Sequence, residues 1–166
     1  AKSEGGMQRL LFGLNPAEYD RYARPYVGTK LWEDTNFCML RDGGIEVFLK
    51  YGLMTESHSH DDIMNMEISA FGAVISFDLS SNGYGNFLFG EWQRITLSHV
   101  TVVADMQNHT KKNRGKCLFF DEKTNHVIAK AEDVYPNIDF TRDQQLGGGK
   151  LKDIFTAEDK TGQSHI

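Results

Sequence analysis

From Leu31 onward the chain is cut into short apolar runs of period two, each closed by a turn rich in Gly, Asn or Asp. That punctuation constrains the fold more than any other feature. Successive strand side chains point to opposite faces, so a period-two run suits a half-buried strand and cannot line one face of a helix. Strands are predicted at 36–41 (NFCMLR), 45–51 (IEVFLKY), 63–69 (IMNMEIS), 72–77 (GAVISF), 97–104 (LSHVTVVA), 117–121 (CLFFD), 126–131 (HVIAKA) and 137–142 (NIDFTR). The turn signals RDGG, SSNGYGN, KKNRGK, DEKTN and LGGGK separate them. Many short strands without a long helical period predict an all-β fold, an antiparallel β-sandwich.

The first 30 residues differ. Within MQRLLFGLNPAEYDRYA one or two helical turns are expected, with Asn15 as N-cap and Pro16 at the first helical position. The division expected is therefore a lead-in over 1–30 and a sandwich over 31–166. The tail KLKDIFTAEDKTGQSHI reads as a further hairpin that stops before its second strand is complete, so the sandwich is expected to be truncated there. A chain of 166 residues is long enough to bury one core. No internal repeat is visible. No apolar run reaches the roughly 18 residues of a membrane span, and no secretory leader is seen.

The formal charge of −5 argues against a general grip on nucleic acid, which needs a basic face to neutralise phosphates. KKNRGK at 111–116 is the one basic cluster, has no interleaved aromatics and reads as a solvated turn. Cys38 and Cys117 are read as free core thiols, although the sequence does not settle whether they pair.

Two of the six histidines stand one residue apart in HSHDD, 58–62. On an extended segment His58 and His60 share a face, while Ser59 and Asp61 face the other way. Asp78 closes the apolar run GAVISFD, a strand expected to be buried, and His99 lies inside LSHVTVV. A polar group buried without a partner costs about 1–3 kcal/mol, so groups of this kind are expected to partner one another. His, Asp and His offer two nitrogens and one oxygen, a donor set that suits Zn²⁺ with a position left over. Calcium prefers more oxygens and ranks lower. A hydrogen-bonded His–Asp pair without metal is the alternative.

The stretch SHSHDDIMNMEISAFGAVISFDLSSNGYG, followed by EWQRITLSHVTVVAD, resembles the β-sandwich domain of the heparinase II/III-like polysaccharide lyases, which include oligo-alginate and heparin or heparan sulfate lyases. The matching pieces are His58-Ser59-His60, Asp78, Tyr84-Gly85, Trp92-Gln93-Arg94 and His99 with Val100-Thr101-Val102-Val103. The family more often has Gly between the first two histidines and Asn after the last one, so Ser59 and Val100 depart from its pattern. The likeness runs over about residues 31–145.

What the resemblance implies is specific. His60, Asp78 and His99 would hold a structural zinc, and His58 would face the cleft as this domain's catalytic histidine. Such enzymes cleave uronic-acid polysaccharides by β-elimination: a base removes the C5 proton once the carboxylate is neutralised, and an acid protonates the departing O4. Much of that machinery would lie in an N-terminal α/α toroid for which this chain has no room, leaving it the C-terminal sandwich of a larger, periplasmic or secreted bacterial enzyme. Its partners would be the toroid and an acidic polysaccharide or oligosaccharide.

Tyr84, between two glycines, would stack on a sugar ring, assist proton transfer at the cleft rim, or cover a strand end. Arg94 would bind a substrate carboxylate or sulfate, or pair with Glu91 or Asp78. Trp92 and Met54, Met64 and Met66 are expected in the core; Glu67, His109, His126 and His165 are expected at the surface. Two further classes stay open. A non-catalytic carbohydrate-binding sandwich would need exposed aromatics, whereas these are expected to point inward or sit beside the histidines. An independent metallohydrolase would need a general base, for which Asp61 or Asp62 could serve.

Overall fold

The computed structural model describes residues 27–52, 59–79, 81–83, 85–110 and 115–162. Nine strands form two antiparallel meanders among these residues. The first sheet runs β1 (Lys30–Trp32), β2 (Phe37–Asp42), β3 (Ile45–Lys50), β4 (Asn65–Ala70) and β5 (Ala73–Ser76), in that spatial order. The second runs β6 (Lys116–Asp121), β7 (His126–Tyr135), β8 (Ile138–Gly147) and β9 (Lys150–Asp159). Their facing surfaces share one core, so the fold is the expected β-sandwich.

Turn chemistry sets the register. Gly43 and Gly44, at φ 55° and 85°, close the β2–β3 hairpin, and Gly148 and Gly149, at 56° and 71°, close β8–β9. Two positive φ values in succession twist the chain in the sense its flanking strands require. Alternation then selects the buried face: Cys38 and Leu40 on β2, Ile45, Val47 and Leu49 on β3, Val127, Ala129 and Ala131 on β7, Phe140 and Leu146 on β8. Gly115, before β6, is fixed by contact: a Cβ there would lie 1.8 Å from the Tyr51 carbonyl oxygen.

Several expectations are corrected. The predicted strand at 97–104 is absent. A 3-10 turn spans Thr96–Ser98, and the following backbone bonds to side chains instead of a neighbouring strand. β5 is an exposed edge, with Val74 and Ile75 open to solvent, because β4 is its sole neighbour and the second sheet does not cover it. Within the tail, Lys150–Asp159 is one strand and not a hairpin of its own: β9 pairs with β8 from Ile138↔Asp159 to Gly147↔Lys150. The helical turns around Asn15 and Pro16 lie outside the described residues. Cys38 is buried, Cys117 is half-buried, and both are free thiols. Among the described residues no helix is long and apolar enough to cross a membrane.

Candidate metal centre

Asp78 follows the edge strand β5 by two residues, His60 precedes the turn into β4, and His99 ends the 3-10 turn at Thr96–Ser98. Each lies where regular pairing has stopped, so none is tied into a ladder. They converge: one donor atom from each falls within 4.8 Å of the other two. Asp78 Oδ1 lies 3.2 Å from His60 Nδ1 and 3.4 Å from His99 Nδ1. Tetrahedral ligands about 2.0–2.1 Å from a zinc ion stand roughly 3.3–3.4 Å from one another, so the two distances to Asp78 fit such an ion.

The state of His99 bears on the choice between a metal and a plain His–Asp pair. Its side chain is fully shielded, and both ring nitrogens are buried without a hydrogen bond. The contact with Asp78 is close but misaligned. Burial holds the His99 pKa below its ordinary value, against the opposing pull of Asp78, which keeps the ring neutral and its lone pair free to donate. His60 is hydrogen-bonded to Asp78 and meets the Phe89 ring edge-on, with centroids 6.1 Å apart. A metal-free pair accounts for His60 and Asp78 and leaves both nitrogens of His99 without a purpose.

Side chains distant in sequence hold the His99 segment in place. The Val100 N–H donates to Asn65 Oδ1 at 2.9 Å, and the Val100 carbonyl accepts from Arg142 Nη1 at 2.8 Å. Thr101 Oγ1 donates to the Ile63 carbonyl at 2.6 Å. Thr96 Oγ1 donates to the Asp61 carbonyl and accepts the His109 N–H. His109 is buried, contrary to expectation. Its Nδ1 accepts the Ile63 N–H at 3.1 Å and its Nε2 donates to the Val102 carbonyl at 2.9 Å, which fixes the neutral tautomer. Burial lowers its pKa to about 4.

The remaining expected residues divide. His58, Tyr84, His165 and Met54 lie outside the described residues. Arg94 is half-buried; its carbonyl accepts the Asp61 N–H at 2.9 Å, and its Nε is buried without a hydrogen bond. It makes no ion pair with Glu91 or Asp78 among the described residues. Trp92 is exposed, contrary to expectation, because the π-helical turn Phe89–Gln93 buries Phe89 and Gln93 instead. Gln93 Oε1 accepts the Asn82 N–H at 3.0 Å and so anchors the turn after Asp78. Glu67 is half-buried, and burial together with the nearby Asp78 charge pushes its pKa up. His126 is half-buried against Asp143, with Nε2 2.8 Å from Oδ1.

Phe71, Phe77, Phe87 and Trp92 are exposed, while Tyr51, Phe89, Tyr135 and Phe140 are buried, so the aromatics divide between core and surface. Asp61 and Asp62 are buried, and Lys50 Nζ holds Asp62 Oδ1 at 2.5 Å, so Asp62 is not a free base. Asn65, Gln93, Thr96, His109 and Arg142 went unmarked as supports. Only Arg142 carried a local signal, a charge on the core-facing phase of a strand.

No protein-family model matches this sequence, and no curated protein matches it. Solved structures do. A heparinase III superposes with a TM-score of 0.70 at 18% identity, over 82% of this chain and 23% of that one. A heparan sulfate lyase, HepC, from Pedobacter heparinus superposes with a TM-score of 0.67 at 20% identity, over 90% of this chain and 25% of that one. The chain thus has the fold of one portion of these lyases and spans about a quarter of their length.

Proposed function

We propose that this chain is the β-sandwich portion of a polysaccharide lyase that cleaves a uronic-acid polymer, of the heparin, heparan sulfate or alginate type, by β-elimination. Residues 31–166 form the sandwich, and 1–30 lead in from a helical toroid. His60, Asp78 and His99 hold one divalent ion, zinc before calcium because two of three donors are imidazoles. The observation that carries the reading is the buried, hydrogen-bond-free imidazole of His99 beside Asp78.

The ion's part is structural: bound, it ties together three segments that share no backbone ladder. In this reading His58 is the domain's catalytic histidine and Tyr84 and Arg94 bind substrate, Arg94 meeting a sugar carboxylate or sulfate through its fork of donors. In the elimination a base takes the C5 proton, the C4–O4 bond breaks, O4 takes a proton, and a C4=C5 double bond remains on the new non-reducing end. Neutralising the C6 carboxylate is what makes the C5 proton removable. A polymeric substrate places the enzyme in the periplasm or outside the cell.

The test is ultraviolet absorbance of the unsaturated uronide when the parent protein meets heparan sulfate and alginate separately. Product from either polymer, diminished by His58→Ala, supports the reading; metal-replete parent protein that leaves both polymers intact overturns it. The exposed Phe71, Phe77, Phe87 and Trp92 favour a second reading, a non-catalytic carbohydrate-binding sandwich. Glycan binding by this chain alone, undiminished by His58→Ala, would select it.

A further inference from the structure

The core-facing phase of β8 reads Phe140, Arg142, Gln144, Leu146, placing a guanidinium and an amide where the fold calls for apolar side chains. Arg142 is 3% exposed. Its Nε and Nη2 donate to the two carboxylate oxygens of Asp153 on β9, at 2.8 and 2.7 Å. Its Nη1 donates to the Met64 carbonyl at 2.5 Å and to the Val100 carbonyl at 2.8 Å. The guanidinium lies over the Phe155 ring, 5.2 Å from its centroid. Gln144 Nε2 also donates to Asp153 Oδ1, at 3.1 Å.

The ion pair alone is weak evidence of a stabilising role. Replacing a buried ion pair with apolar groups of similar size is often neutral or stabilising. What the pair does is geometric. One planar fork, held by Asp153, reaches from the second sheet to the entry of β4 and to the peptide that follows His99. With Asn65 on the N–H and Arg142 on the carbonyl, Val100 is clamped at both polar groups although it belongs to no strand. We infer that Arg142, oriented by Asp153, is a positioning residue that sets the place of His99 relative to His60 and Asp78. This rests on the metal-centre reading above.

The experiment measures zinc affinity by chelator competition and thermal unfolding of the metal-free chain, on the same 166 residues. Arg142→Met with Asp153→Leu removes both charges but also strands the Met64 and Val100 carbonyls; its metal-free melting temperature is expected to fall no further than that of Val47→Ala, while zinc affinity falls about tenfold to a hundredfold. Arg142→Lys, which keeps the charge but loses the fork, is expected to fall between. Val47→Ala, a core lesion away from the site, is expected to lower the melting temperature and leave zinc affinity unchanged. Wild-type affinity in the double variant, with His99→Ala abolishing binding, overturns the positioning role and leaves the metal centre standing. So does an affinity loss matched by Val47→Ala at equal loss of stability. A wild-type chain that binds no zinc overturns the metal centre, and the positioning role falls with it. If the double variant does not fold, Arg142→Lys decides: unaltered affinity overturns the role, and a loss without a fall in melting temperature supports it.

Discussion

His99 Nδ1 stands 3.4 Å from Asp78 Oδ1, within reach of a shared ion and misaligned for a hydrogen bond. A buried imidazole with neither nitrogen bonded is an unusual thing for a fold to retain, since each unmade bond costs free energy. A cation taking the lone pair of Nδ1 would account for the nitrogen that faces Asp78.

The first expectation follows directly. Purified chain should carry about one zinc per molecule, and His60→Ala, Asp78→Ala or His99→Ala should each lose it, by elemental analysis. Zinc at about a hundred times its dissociation constant should stabilise wild type by about 2.7 kcal/mol, with no gain in the variants. Metal-free His99→Ala should lose stability only through the space left by the buried ring, which packs 5.2 Å from the His60 ring. Its distinguishing feature is that added zinc restores none of that loss, whereas a gain on adding zinc would show that His99 is not a ligand.

A second expectation concerns Lys50 and Asp62, whose Nζ and Oδ1 lie 2.5 Å apart with the Asp62 side chain wholly buried. Removing one partner of such a pair strands the other charge, so Lys50→Met should cost about 3–5 kcal/mol in urea unfolding. Lys50→Met with Asp62→Leu should recover most of it. If the single variant loses less than about 1 kcal/mol, Asp62 is solvated and is again open to acting as a base.

The hairpins could be read from the sequence because both determinants are local: paired positive-φ glycines at 43–44 and 148–149, and the alternation around them. The meeting of His60, Asp78 and His99 was also legible, through the motif context rather than any single residue. Segment 97–104 misled because alternation reports an amphipathic chain and says nothing of whether a neighbouring strand is there to pair with. Its backbone partners are Asn65, Arg142 and His109, up to 42 positions away. His109 reads as a surface residue for the same reason, since Asn108 and Thr110 beside it are exposed while its own bonds go to Ile63 and Val102. Trp92 and β5 failed on phase: composition marks them as apolar, and only the packing shows which face is left uncovered.

The thiols give a third test. Burial pushes the Cys38 pKa up to about 12 and raises that of Cys117 as well, and the thiolate is the reactive form. Neither should react appreciably with a disulfide reagent at neutral pH in the native chain, and both should react on unfolding. Fast native labelling of Cys38 would mean that the two sheets part on the timescale of the assay.

His109 supplies the last expectation, and its sign can be worked out. The neutral ring accepts the Ile63 N–H and donates to the Val102 carbonyl, with Tyr135 and Phe140 packed edge-on against it. Burial, against the opposing Val102 hydrogen bond, holds the folded pKa near 4. An unfolded histidine binds its proton near pH 6.5. The unfolded state therefore holds more protons between those two values, and stability must fall as pH drops through that window. The stabilisation is complete above about pH 6.5, declines by at most about 1.4 kcal/mol per pH unit below it, and levels off under pH 4, for a total of about 3 kcal/mol. Urea unfolding of metal-free protein from pH 7.5 to 4 reads this slope. Because His99 titrates in the same direction, the comparison that isolates His109 is His109→Gln, which keeps a donor and an acceptor and carries no titratable proton. That variant should lose about one proton's worth of slope, and an unchanged slope would place the pH sensitivity elsewhere.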